Sequence, residues 1–307
     1  MKKKVWIIPC GAALVVCLSL LAAVVLRLSG PSPQPQASSS AEPSESADVS
    51  AAAEETAEST QSAESTDIAT PSTIKDGVLS VGVEIPYPPM EIFADDGVTP
   101  MGFDIDLAEA LGEKLGLEVE FNNVAWDGIF DGLKVDKYDV VISSCTITPE
   151  REESVDFSDP YFENYQTISV MPDSDKEIND IKDVNGLKVG YQSGTSADEY
   201  LNDLIDAGEI QCETSSYAKM TEAFSDLKLG RIDAVICDTP VASSYVKDPE
   251  YGVVIKWTQP SDPEYFGIAI KKGNTEMADA VNAALKALQD DGTLQRINDE
   301  WIASEED

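Results

Sequence analysis

Histidine is absent from all 307 residues. Its absence removes Ser-His-Asp and Cys-His catalysis, and any histidine-containing metal site, from consideration. Positive charge is scarce: 21 lysines and arginines stand against 57 acids. The only arginines are residues 27, 151, 231 and 296. From Asp76 onward the balance is 16 against 49, a net of −33. Such a surface repels phosphate backbones, which weighs against a nucleic-acid partner, and mildly favours cationic ligands over anionic ones. Cysteine is sparse too. Beyond Cys10 and Cys17, the chain has Cys145, Cys212 and Cys237. They are odd in number, lack metal-ligand spacing, and two fall in apolar strand runs. Buried free thiols are the default expectation, with a disulfide left open. No catalytic residue, metal or cofactor is expected.

Long apolar runs are missing as well, with one exception. Three lysines at residues 2–4 precede an uncharged run of 22 residues, 5–26. It is long enough to cross a bilayer and longer than the usual core of a secretory signal. The basic flank stays inside, which puts everything after Arg27 outside. Residues 1–28 are therefore read as an uncleaved membrane anchor on the outer face of the cytoplasmic membrane. A cleaved signal and a lipoprotein are the alternatives, although Pro9 and Val16 are poor residues before a lipidated cysteine. Residues 29–75 are rich in Ser, Ala, Pro and Glu and nearly devoid of large apolar side chains. Such a segment cannot bury enough surface to fold and is expected to be a disordered tether.

The folded part is organised around residues 138–162. An apolar β-branched run, Val140-Val141-Ile142, reads as a buried strand. It gives way abruptly to the hydroxyls Ser143, Ser144, Thr146 and Thr148, and Pro149 then marks a helix start. Arg151 falls in that first turn, where a cation is mildly unfavourable unless something compensates. Hydroxyls, free helical N–H groups and a guanidinium together make an anion site. Local sequence alone leaves open a plain pairing of Arg151 with Glu150, Glu152 or Glu153.

Upstream, residues 78–84 read as a strand, 103–115 as an amphipathic helix closed by Gly116, 117–121 as a strand and 126–134 as a helix. This is the β-α-β-α-β pattern of a mostly parallel sheet covered by helices. After residues 166–171 a second series begins: strand 187–191, helix 196–205, strand 209–212, helix 217–229 and strand 232–237. The two series echo each other. Leu133-Lys134, three residues, then Tyr138-Asp139-Val140-Val141-Ile142 recurs 94 residues later as Leu227-Lys228, three residues, then Ile232-Asp233-Ala234-Val235-Ile236. Ser143 and Ser144 follow the first copy, and Cys237 and Asp238 the second. Two similar lobes are implied, each with polar residues at the carboxyl end of a matching strand, where open parallel sheets bind ligands. A strand at 265–270 and helices at 275–288 and 293–302 close the chain. The expected lobes are 76–164 with 265–307, and 165–264, joined by hinge strands at 163–167 and 262–266.

From Asp76 to Ile302 the chain resembles the family-three solute-binding proteins of ABC importers, the polar amino-acid receptors. The resemblance rests on Tyr87-Pro-Pro-Met-Glu91, Gly102-Phe-Asp-Ile-Asp-Leu107, Trp126-Asp127-Gly128, Ile147-Thr-Pro-Glu-Arg151 and Asp156-Phe-Ser-Asp-Pro-Tyr161. It continues in Val189-Gly-Tyr-Gln-Ser-Gly-Thr195, Gly230-Arg-Ile-Asp233 and Asp290-Asp-Gly-Thr293. Each motif is weak alone, whereas their number, order and spacing are specific. The resemblance implies a periplasmic-binding-protein fold, two α/β lobes closing over one free L-amino acid and delivering it to ABC permease subunits. It implies that Arg151 clamps the α-carboxylate, helped by Ser144, Thr146, Thr195 and Ser196, and that Asp238 holds the α-ammonium. Tyr87 and Trp126 match the aromatic pair that sandwiches the ligand side chain, and Glu84 and Gln192 line its far end. Met90 stands where the family usually has Phe. Glu84, the aromatics and the acidic surface favour a basic or other polar side chain. A monomer is expected. A ligand-sensing receptor and a dehydratase-type enzyme on the same fold are the alternatives.

Read from the residues themselves, several of these positions also have plain structural roles. Asp238 could simply cap the helix from Thr239-Pro240, Trp126 could be a core residue, Tyr87 a surface residue of a proline turn, and Gly194-Thr195-Ser196 an ordinary helix start. Glu84 could be a solvated acid at a strand end.

Overall fold

This computed structural model describes residues 68–302. The expected anchor and residues 29–67 of the expected tether lie outside the described residues. Strand β1, Val78–Val83, runs through the first sheet with four of its six residues wholly or almost wholly apolar and buried. A short antiparallel pair follows, β2 (Ile92–Phe93) and β3 (Pro100–Met101). Helix α1, Phe103–Leu115, buries Phe103, Leu107, Leu111 and Leu115 on one stripe. Burying each such side chain contributes roughly 1.5–3 kcal/mol. Gly116 ends the helix in the left-handed conformation, as its sequence signal indicates.

Strand β4 (Glu118–Asn123), helix α2 (Ile129–Lys134) and strand β5 (Val140–Val141) complete the first β-α-β-α-β series. Both β4 and β5 pair parallel to β1, in the order β4-β1-β5. Next come the one-turn helix α3 (Pro149–Glu152) and strand β6 (Val155–Phe157). Strand β7 (Phe162–Asn164) leads out of this lobe.

The second sheet begins with β8 (Gln166–Val170) and continues through β9 (Lys188–Gln192), α4 (Ser196–Asp206), β10 (Glu213–Tyr217), α5 (Met220–Lys228) and β11 (Ala234–Asp238). Helix α6 (Thr239–Lys247) and strand β12 (Val254–Thr258) follow. Its order is β10-β9-β11-β8-β12, with the first three parallel, β8 antiparallel to β11, and β12 antiparallel to β8. Strand β13 (Glu264–Phe266) returns, β14 (Ala269–Lys271) inserts antiparallel between β5 and β6, and α7 (Thr275–Asp290) and α8 (Thr293–Trp301) close the lobe. The two sheets thus share one plan, and the echoed segments are their third strands, β5 and β11. Strands β7 and β13 pair as a short antiparallel ribbon between the lobes.

Three sequence expectations are corrected. The strand placed at 209–212 is a loop anchored by buried Ile210, and the edge strand is the polar run Glu213–Tyr217. The single strand placed at 265–270 divides at Gly267, because β13 belongs to the hinge ribbon and β14 to the first sheet. The tether does not extend to residue 75. Thr70 donates its hydroxyl to the Leu115 carbonyl at 2.8 Å. Ser72 bonds Glu276, and the Ile74 N–H reaches Asp139 at 2.8 Å. Ile68 packs on the core. No helix among the described residues is long and apolar enough to cross a membrane. Cys145, Cys212 and Cys237 are free thiols, with Cys212 half-buried and the other two buried.

Candidate functional site

The carboxyl ends of β1, β5, β9 and β11 converge on one cavity, about 310 Å³ of empty space when the part open to solvent is counted. In each sheet the central strand has its two parallel neighbours on opposite sides, and the gap between their departing chains is where such sheets leave room for a ligand. The eleven residues singled out in the sequence all line this cavity: Glu84, Tyr87, Trp126, Ser143, Ser144, Thr146, Arg151, Gln192, Thr195, Ser196 and Asp238. Glu91 lines it as well, and it carried no expectation beyond its place in a motif. Met90 is buried in the core cluster and is absent from the cavity wall.

Arg151 is held from below by α3. Thr148 caps this helix, accepting the Arg151 N–H at 3.2 Å. The side chain is buried, and its guanidinium lies beside the edge-to-face pair Trp126 and Phe130, 5.5 Å from each ring centre. Nη1 donates to the Thr146 carbonyl at 2.9 Å, and Nη2 to the Gly194 carbonyl at 3.0 Å. Among the described residues it forms no ion pair, so pairing with Glu150, Glu152 or Glu153 is not what holds it. The Gly194 carbonyl also accepts the Trp126 Nε1–H at 2.9 Å. Gly194 adopts a φ of +71°, which a side chain would strain, and this is how its carbonyl is turned toward both donors.

Asp238 opens α6 but its carboxylate does not cap that helix. Instead it accepts from Tyr87 Oη at 2.5 Å, Asn164 Nδ2 at 2.6 Å and Gln166 Nε2 at 2.9 Å. Burial, and then the charge of Glu264, push it up to about 6. Tyr87 is buried rather than at the surface, and its phenol is pushed well above its ordinary value by burial and by Asp238. Thr195 does act as an ordinary helix cap, accepting from the Asp198 N–H and donating to the Gln192 carbonyl at 2.7 Å.

The far end of the cavity is acidic. Glu84 is buried, and its Oε2 accepts from Gln192 Nε2 at 2.7 Å across the cleft. Its Oε1 is buried and has no partner at hydrogen-bond geometry among the described residues, although the Trp126 backbone N–H lies near enough to favour the charged carboxylate. Burial raises its pKa, while Gln192 and Lys219 act the other way. Behind Ser143 and Ser144 lies a buried acid pair, Glu91 and Asp104. Ser143 donates to Glu91. Asp104 accepts the N–H of Ser144 at 2.6 Å, its hydroxyl at 3.0 Å and Tyr161 Oη at 2.8 Å. These bonds hold Ser144 at a φ of +48°, unusual for a residue with a side chain. Burial raises Asp104 to about 6, and burial with the Asp104 charge raises Glu91 well above the carboxylate range. Asp104, Asn164, Gln166 and Glu264 were not foreseen as parts of this network. Asp104 at least stood in a quoted motif.

Two α/β lobes on a two-stranded hinge, with a guanidinium from one and a carboxylate from the other lining one cleft, define a ligand-clamping binding protein. The chain belongs to the bacterial extracellular solute-binding proteins, family 3, whose family model matches residues 79–304. ABC transporter arginine-binding protein 1 of Escherichia coli K12 is 39% identical over 230 residues, spanning 73% of this chain and 90% of that protein. An ancestral arginine-binding protein bound to arginine is 42% identical with a TM-score of 0.69, covering 74% of this chain and 99% of the other. An ancestral amino-acid-binding protein described as a precursor of cyclohexadienyl dehydratase is 38% identical with a TM-score of 0.67, covering 74% and 96%.

Proposed function

We propose that this protein is the amino-acid receptor of an ABC importer, and that its ligand is an L-amino acid with a basic side chain, arginine foremost. One observation carries the reading. A buried guanidinium and a buried carboxylate on opposite lobes line the same cavity, and a carboxylate oxygen without a partner waits at its far end. A zwitterion leaving water needs both charges paired, and Arg151 and Asp238 supply the two signs. Glu84 supplies the third charge, for a guanidinium or ammonium on the side chain. Trp126 and Tyr87 flank the space between, which suits a cationic or extended apolar stem. The names of the relatives point the same way. The ligand is released chemically unchanged, the chain is tethered to the outer face of the membrane through its N-terminal segment, and it works as a monomer that docks on permease subunits.

The test is isothermal titration with the common amino acids plus ornithine, citrulline and cystine. L-arginine is expected to bind most tightly, and no binding by any amino acid overturns the reading. Glu84→Gln is expected to weaken L-arginine by at least tenfold while citrulline, which is uncharged at that end, changes little. This is the difference expected when a hydrogen bond to a charged group is lost.

The pH dependence has two opposite signs. Asp238 and Asp104 are each raised to about 6 in the folded protein, above the ordinary value of 3.8. Between these values the folded form holds protons that the unfolded chain does not, so ligand-free stability rises as pH falls through 6 and is lost as pH rises through it. Melting temperature without ligand is therefore expected to be higher near pH 5 than near pH 8. Affinity runs the other way, because the ligand ammonium competes with the Asp238 proton. From about pH 8 to about pH 5 it is expected to weaken roughly tenfold, the cost of ionising a group that is then about nine-tenths protonated.

A further inference from the structure

Glu264 does not wall the cavity, yet it holds two residues that do. From hinge strand β13 its Oε2 accepts from Ser196 Oγ at 2.8 Å and Gln166 Nε2 at 2.9 Å. Thr146 Oγ1 and Asn164 Nδ2 each lie 3.4 Å from the same oxygen. The Thr146 and Ser196 hydroxyls are 3.1 Å apart. A hydroxyl has one proton, and an ionised carboxylate only accepts. Ser196 thus directs its proton to Glu264, and Thr146 directs its own to Ser196 or Glu264. Both hydroxyls are left with lone pairs, and no protons, for the cavity. The Gln166 amide knits the arrangement together, its two N–H groups donating to Asp238 and to Glu264, each at 2.9 Å, with Ser196 Oγ 3.3 Å from the same nitrogen. Neither Asp238 nor Glu264 forms an ion pair among the described residues.

We propose that Glu264 is a specificity-determining residue of the amino-acid site: it fixes Ser196 and Thr146 as acceptors and sets a second negative charge beside Asp238, so that the junction of the lobes selects an α-ammonium. Arg151 is then the charged donor left for the α-carboxylate. The inference rests on the amino-acid reading above and reassigns two hydroxyls that the family resemblance gives to the carboxylate. The titratable groups that sense the Glu264 charge are Asp238 on β11 and Glu199 and Tyr200 on α4. Of these, Asp238 carries the functional consequence, since the Glu264 charge adds to burial in raising it.

The experiment compares L-arginine with its des-amino analogue, guanidinopentanoate, by titration against the unaltered protein and Glu264→Gln near pH 8 and near pH 5. The variant is expected to weaken L-arginine about tenfold near pH 8 and to leave the analogue within about twofold, the size of one charged contact. Its loss of L-arginine affinity on acidification is expected to move to lower pH, because Asp238 no longer has a second anion beside it. Ser196→Ala approaches the same bond from its other end and is expected to show the same preference for the analogue. Equal weakening of both ligands, or an unaltered pH profile, overturns the inference. Failure of the unaltered protein to bind any of the amino acids titrated overturns the amino-acid reading and this inference together. Binding without the ammonium-selective loss overturns this inference alone.

Discussion

Arg151→Ala is expected to weaken amino-acid binding by at least a hundredfold. The side chain is buried, and removing one partner of a buried charge pair typically costs about 3–5 kcal/mol. Two effects reinforce that figure here. The guanidinium bonds carbonyls on both lobes, Thr146 below and Gly194 opposite, so its loss weakens closure as well as ligand contact. It also leaves a hole beside Trp126 and Phe130, whose rings now pack against it. Arg151→Lys is expected to recover only part of the affinity, since an ammonium cannot bridge two carbonyls and a carboxylate in one plane. Titration calorimetry measures the affinity, and circular dichroism verifies that the variant is folded. Near-normal binding by Arg151→Ala would remove it from the carboxylate site.

Asp238→Asn is expected to cost a similar factor, with a second signature that separates it from damage to the fold. The carboxylate sits buried near Glu264 and, among the described residues, forms no ion pair, so in the ligand-free protein its charge is unfavourable. An amide keeps most of the shape: with its oxygen at the Oδ1 position it still accepts from Asn164 and Gln166, while its NH2 donates to the Tyr87 hydroxyl. Affinity should therefore collapse while the ligand-free melting temperature holds or rises near pH 8, where Asp238 is ionised. The variant should also lose part of the pH dependence of stability. A fall in melting temperature with unchanged affinity would make Asp238 a structural residue.

Most of the cavity was legible because its residues break a pattern. Ser143, Ser144 and Thr146 interrupt an apolar strand run, and Asp238 ends the echoed copy of that run. Arg151 is one of four arginines in an acid-rich chain. Contrast of this kind is what a sequence can display. Glu91, Asp104 and Glu264 have none, being single acids among 57, and only their burial and shared donors mark them out. The same reasoning covers the fold. Strands buried on both faces, such as β1 and β11, announce themselves by continuous apolar runs. The edge strand Glu213–Tyr217 has no such run, and its apolar neighbour Ile210 drew the expected strand onto a loop. Strand β12 is likewise an edge strand and was not anticipated.

Among the described residues, the segment 68–75 that leads into the folded part is fastened to the first lobe. Thr70, Ser72 and Ile74 are bonded to Leu115, Glu276 and Asp139, all on that side of the hinge ribbon. Any pull arriving from the start of the chain is therefore carried by the lobe that holds Arg151. The lobe bearing Asp238 is coupled to that load only through the ribbon and the cleft, which makes it the part free to swing.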